Sequence, residues 1–173
     1  MNSPLLQQPI DVDRAATEYR HIALFRDVHL PAVYHLLAQC YEITVEAGAY
    51  VLEAGAENKS AYLVVHGLLE VRLVDPQSEA IVSVPGGACV GELSILSRLN
   101  VSAYVVAVER SRLLVIPDDL VWGFIATSHE FSRNLLAMFS GRLRDGNTRF
   151  RDSLDAQQRY PKAPKVDGST ALS

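Results

Sequence analysis

The sequence predicts a mainly β domain: an antiparallel β-roll of the jelly-roll type, with short helices before it, one small helix inside it and a long helix after it. Three observations carry this. Between Ile43 and Pro117 the chain is a succession of short runs rich in Val, Ile, Leu and Tyr. Gly48, Gly55, Gly67, Asp75-Pro76, Gly86-Gly87 and Glu109-Arg110 punctuate them, and many short strands at close spacing mean a sandwich or barrel. On either side of this stretch the apolar period lengthens to three and four, the spacing of a helix face. Finally, 173 residues, 49% apolar and 21% charged, suffice for one domain with its own core and short appendages.

Residues 1–12 carry two prolines and little pattern, so a flexible arm is expected there. From Asp13 a short helix follows, with Ala16, Tyr19, Ile22 and Ala23 as its apolar positions. A second is read in LPAVYHLLAQCYEI, with Pro31 in its first turn and Val33, Leu36, Leu37 and Cys40 on one face. Seven strand-like runs come next: ITVEAG, YVLEAG, AYLVVHG, LLEVRLVD, EAIVSVPGG, SAYVVAVE and SRLLVIPD. GELSILSRL, residues 91–99, interrupts them as a helical turn. After Pro117, Asp118 is placed to cap DLVWGFIA by accepting a free first-turn amide. Thr127 and Glu130 offer a capping box for a long helix over 128–159. Leu136, Phe139, Leu143, Phe150 and Leu154 fall along one seam of that helix, with Gly146 at the gap. A seam of this kind either packs on the roll or pairs with the same helix of a second copy, and pairing is the expectation here. The domain is thus read as 13–127, the dimerisation helix as 128–159, and the polar, proline-bearing residues 160–173 as a disordered tail.

Composition excludes several functions. A net charge of -4 supplies no global field for nucleic acid. Half of the 16 basic residues lie between Arg133 and Lys165, which reads as a solvated helix face. No apolar run approaches a membrane span and the N-terminus lacks the pattern of a secretion signal, so a cytoplasmic setting is expected. Cys40 and Cys89 stand far apart in apolar settings and read as buried, reduced thiols. His21, His29, His35, His66 and His129 form no metal-ligand spacing. There is no Gly-x-Ser-x-Gly, no P-loop and no Gly-x-Gly-x-x-Gly after a strand, so catalysis is not expected.

The order of elements, with Gly48, Gly55, Gly67 and Gly91 at the turns, resembles the cyclic nucleotide-binding domain family. That family includes the catabolite activator protein and the regulatory subunits of protein kinase A. The resemblance covers about residues 22–155 and is most specific in EAGAENKSAYLVVHGLLEV and in GACVGELSIL followed by SAYVVA. It implies that the segment opening at Gly91-Glu92 is a phosphate-binding cassette. Glu92 would accept a ribose hydroxyl, and backbone amides from Leu93 and Ser94 onward would face a cyclic phosphate. The family then places an arginine after eight residues that follow the Gly-Glu pair. Here the eight are LSILSRLN and the next position is Val101, followed by Ser102 and Ala103, so the spacing is kept and the cation is absent. Arg98 lies three residues upstream and reads as solvent-exposed. Ser102 and the Ala103 amide remain as donors without net charge.

These features give the expectation of a regulatory or sensory module of bacterial-type signal transduction. A cyclic nucleotide (cAMP, cGMP or a cyclic dinucleotide) is its implied ligand, bound weakly or in altered form because Val101 replaces the phosphate-binding arginine. The alternative is a ligand-free scaffold for dimerisation or partner docking. Transcription factors of the family carry a helix-turn-helix after the long helix, and none is read here. RDSLDAQQRY and KVDGSTALS loosely resemble the linker that joins such sensors to a diguanylate cyclase domain.

Overall fold

The computed structural model describes residues 8–159; the first seven residues and the tail from 160, with its linker resemblance, lie outside the described residues. It divides into two compact units between Leu135 and Leu136.

Among the described residues of the first unit, nine strands form two antiparallel sheets. One sheet runs β1 (Gln8–Pro9), β2 (Tyr41–Val45), β9 (Ser111–Pro117), β4 (Ser60–His66), β7 (Cys89–Val90). The other runs β3 (Tyr50–Leu52), β8 (Tyr104–Ala107), β5 (Leu68–Arg72), β6 (Val82–Pro85). This is the expected β-roll. Two strands escaped the sequence: Gln8–Pro9, which falls within the stretch read as an arm, and Cys89–Val90. Both are two residues long, too short for an alternating pattern to show.

The period of two decides what each strand buries. Ile43, Val45, Leu113 and Val115 face the other sheet and meet Leu52, Val64, Leu69, Val84, Val90, Val105 and Ala107 in one apolar core. β9 is central and buried on both faces, with Leu114 and Ile116 fully covered on the side away from that core. The covering layer is helical. Tyr19, Phe25, Phe124 and Phe131 form a chain of ring contacts with centroids 6.0, 5.8, 5.6 and 5.0 Å apart.

The helices begin and end where local chemistry puts them, which shifts several expected bounds. α1 (Val12–Tyr19) starts earlier than Asp13 because the Asp11 carboxylate accepts from the amides of Asp13 and Arg14 at 3.1 and 3.2 Å. Ile22 and Ala23 are not in it: a 3₁₀ turn over Ala23–Phe25 follows. α2 (Leu30–Leu37) has Pro31 in its first turn as expected, but it ends before Cys40, and Tyr41 already belongs to β2. α3 is the small helix, Glu92–Ser97. α4 (Asp118–Thr127) takes Asp118 into its first turn, with Pro117 at the cap position, and the Asp118 carboxylate accepts the first-turn amide of Asp119 at 2.8 Å. For α5 (His129–Arg159) the cap is Ser128, not Thr127: its Oγ accepts from the Phe131 amide at 3.2 Å and donates to Glu130 at 3.0 Å. The Glu130 carboxyl is held below its usual range by its own backbone amide first and by Ser128 second.

Phe131 and Leu135 are buried in the first unit, where the Asn134 carboxamide donates to the carbonyls of Leu24 and Arg26 at 3.1 and 2.7 Å. The described residues of the second unit are the remainder of α5. There Leu136, Leu143 and Phe150 recur every seven residues and are 66%, 67% and 67% exposed.

A buried charge cluster ties α1 to the first sheet. Glu42 is 4% exposed, on the face of β2 opposite Ile43, and accepts from the Tyr19 hydroxyl at 2.5 Å and from Arg14 at 2.9 Å. Arg112 stands 3.7 Å from the same carboxylate and pairs with Glu18, which also bonds His66 at 3.0 Å. Burial, then the bond to Glu42, pushes the Tyr19 phenol well above its ordinary range. Burial likewise raises the Cys40 thiol to about 12, and both cysteines are buried as expected.

Candidate functional site

The site implied by the sequence is the segment from Gly91 to Ala103. β7 delivers the chain to Gly91, whose φ of 83° lies in the left-handed region that favours glycine. Space demands glycine as well. A Cβ there would stand 2.7 Å from the Ser60 carbonyl oxygen and 3.0 Å from Asn58 Nδ2. The turn opens α3, and Glu92, its first residue, is 1% exposed. A carboxylate buried this deeply is unusual in a helix of six residues, and it is the acid the sequence singled out.

Ser94 is buried too, and its hydroxyl donates back to the Gly91 carbonyl at 2.8 Å. Leu93 is exposed, so its contribution to a site is its backbone. Arg98 ends α3 in the left-handed conformation, φ 57°, and its side chain is exposed, as the sequence indicated.

Val101 is 8% exposed and belongs to the apolar core between the sheets, with Leu52, Val64, Val90 and Val105. Its backbone is locked to the loop before β4: its amide donates to the Ala56 carbonyl at 3.0 Å, and its carbonyl accepts from the Gly55 amide at 2.8 Å. Ser102 is exposed and Ala103 buried. The position that the resemblance assigns to an arginine therefore points a hydrocarbon side chain into a hydrocarbon setting. An anion brought there would lose water without gaining a counter-charge.

Two residues that sequence reading passed over join this segment to the rest. Asn58 donates to the carbonyls of Ser60 and Gly91 and to Ser94 Oγ, at 2.8, 3.0 and 2.9 Å. Asn100 donates to the Gly55 carbonyl at 2.9 Å. The only sequence signal for either was an asparagine in a turn-rich stretch, a residue whose side-chain amide readily bonds nearby backbone. Among the described residues there is no cluster of His, Cys, Asp or Glu fit to hold a metal ion, and no helix long and apolar enough to cross a membrane.

Residues 42–128 match the family model of the cyclic nucleotide-binding domain. Among solved structures, a cyclic nucleotide-binding domain from Methylobacillus flagellatus superposes with a TM-score of 0.66, at 22% identity, over 88% of this chain and 86% of that one. The catabolite activator protein of Thermus thermophilus gives 0.65 at 25% identity, over 77% of this chain and 63% of its own. A Rhodopseudomonas palustris protein named as a potassium channel is 26% identical over 121 residues, 70% of this chain. This chain spans only 29% of that relative's length.

Proposed function

Because the chain belongs to the cyclic nucleotide-binding domain family, we propose that it is a regulatory or sensory module whose nucleotide pocket keeps its cassette and has lost its phosphate cation. The observation that carries this reading is Val101, buried in the apolar core at the position where the family's arginine is expected. In this reading Glu92 accepts a ribose hydroxyl, and the Leu93, Ser94 and Ala103 amides with Ser102 remain as uncharged donors near the phosphate. The missing guanidinium would have supplied two charge-assisted hydrogen bonds, about 1.5–3 kcal/mol each. At about 1.4 kcal/mol per decade, their loss weakens cyclic nucleotide binding by at least two orders of magnitude.

The wild-type chain therefore binds cAMP, cGMP or cyclic di-GMP weakly at best. Trp122, on α4 and 44% exposed, provides the optical probe. Titration to millimolar concentration, followed by Trp122 fluorescence and melting temperature, is expected to give a shallow, incompletely saturating response to at least one of the three. No response to any of them favours the second reading, a ligand-free scaffold, which the exposed seam of α5 supports.

That seam is part of both readings. Leu136, Leu143 and Phe150 are exposed at heptad intervals, and Phe139 lies between them; pairing with the α5 of a second copy would cover them. The expected result is a dimer mass by light scattering and a monomer for Leu143→Asp. An unaltered chain that is monomeric at tens of micromolar removes the pairing.

A further inference from the structure

We propose that Asn58 is the positioning residue of the candidate site: its carboxamide sets the left-handed Gly91 turn and so the placement of buried Glu92 at the start of α3. The site needs such a residue for a physical reason. The segment enters through β7, two residues long, and continues as α3, six residues long. Neither element is stable by itself, since so short a helix does not offset its own nucleation. The turn between them must therefore be held from outside.

Asn58, on the loop between β3 and β4 and half-buried, does this from three directions. Its Nδ2 donates to Gly91 O at 3.0 Å, to Ser94 Oγ at 2.9 Å and to Ser60 O at 2.8 Å. Two amide hydrogens serve these three acceptors, so one hydrogen is shared. Its Oδ1 accepts from the Ser60 amide at 3.1 Å, which fixes the orientation of the carboxamide. Ser94 closes the ring by donating to Gly91 O at 2.8 Å. The carboxamide also fills the space that a Cβ on residue 91 would take, since that atom would lie 3.0 Å from Nδ2.

The same loop grips the far end of the segment. Gly55 and Ala56 pair with the Val101 backbone at 2.8 and 3.0 Å, and Gly55 O accepts from Asn100 at 2.9 Å. One loop thus spans entry and exit, and Asn58 supplies the side-chain contact at the entry. Aspartate cannot replace it. An ionised carboxylate has the same shape but no donor, and it would set acceptor against acceptor at Gly91 O and Ser60 O.

Hydrogen exchange on the full chain tests this without a ligand. Asn58→Ala and the isosteric Asn58→Asp are both expected to speed exchange across residues 91–97 at least tenfold. Strands β4 and β9 should keep their protection relative to the global unfolding rate. A uniform rise through all strands, or no rise at 91–97, overturns the proposal. Should these variants not fold, Ser94→Ala removes one member of the ring, and the same two outcomes decide.

The consequence for binding rests on the nucleotide-pocket reading above, and a second arm separates the two. In a Val101→Arg background, adding Asn58→Ala is expected to weaken cAMP binding at least tenfold. An unchanged affinity overturns the positioning role. If Val101→Arg itself binds no cAMP while local exchange still accelerates, the pocket reading falls and Asn58 keeps its place as the residue that sets the turn.

Discussion

Glu42→Ala is expected to lose about 3–5 kcal/mol of stability, the usual cost of breaking a buried ionic contact from one side. Glu42 is 4% exposed and gathers the Tyr19 hydroxyl and the Arg14 guanidinium, with Arg112 beyond them. Alanine leaves the fully buried Tyr19 hydroxyl without its acceptor and deprives Arg14 of its counter-charge, while Arg112 keeps Glu18. For a chain of this length the loss amounts to a melting temperature lower by about 6–20 °C. Glu42→Gln keeps an acceptor oxygen for Tyr19 and should lose less, about 1–3 kcal/mol. Chemical denaturation of both variants checks the order. An alanine variant within 1 kcal/mol of the unaltered chain would mean that the cluster adds little to the docking of α1.

Gly67→Ala is the second large loss, about 2–5 kcal/mol, because two costs add. Gly67 has φ of 104°, and a left-handed backbone costs a non-glycine residue about 1–2 kcal/mol. In addition, its Cβ would lie 2.2 Å from Ser111 Oγ and 2.7 Å from Ser111 Cα. A side chain can rotate away, but the Cα of a central strand cannot, and overpacking of this kind costs about 1–3 kcal/mol. Gly87→Ala isolates the first cost, since Gly87 has φ of 87° with open space where its Cβ would go. Equal losses for the two variants would show that the close approach of the β4–β5 turn to β9 at this point is compliant.

How much of this was legible beforehand depended on whether a feature is local. The β-roll, the cassette helix and the glycine turns were readable because strand alternation and turn chemistry are carried by neighbouring residues. Gly91, Glu92 and Val101 were singled out only through the family resemblance, and Glu92 and Val101 are buried. Glu42 was not found. It fell in the stretch read as the second helix, whereas it belongs to β2, and only the fold brings Arg14, Tyr19 and Arg112 to it. Asn58 was missed for the same reason, as its partner Gly91 is 33 residues away. Cap positions slipped by a single residue where two hydroxyls competed. Thr127 and Ser128 both suit the motif, and the extended backbone at Ser128, φ −127° and ψ 115°, selects it.

Calorimetric titration of cAMP into the unaltered chain and into Val101→Arg decides whether the pocket is intact but lacks its cation. The arginine variant is expected to bind at least 100-fold more tightly, through two charge-assisted bonds to the phosphate. It should also be less stable than the unaltered chain when empty, because a guanidinium replaces a buried valine among apolar side chains. Equal affinities in the two proteins, or tight binding by the unaltered chain, would contradict the role given to Val101.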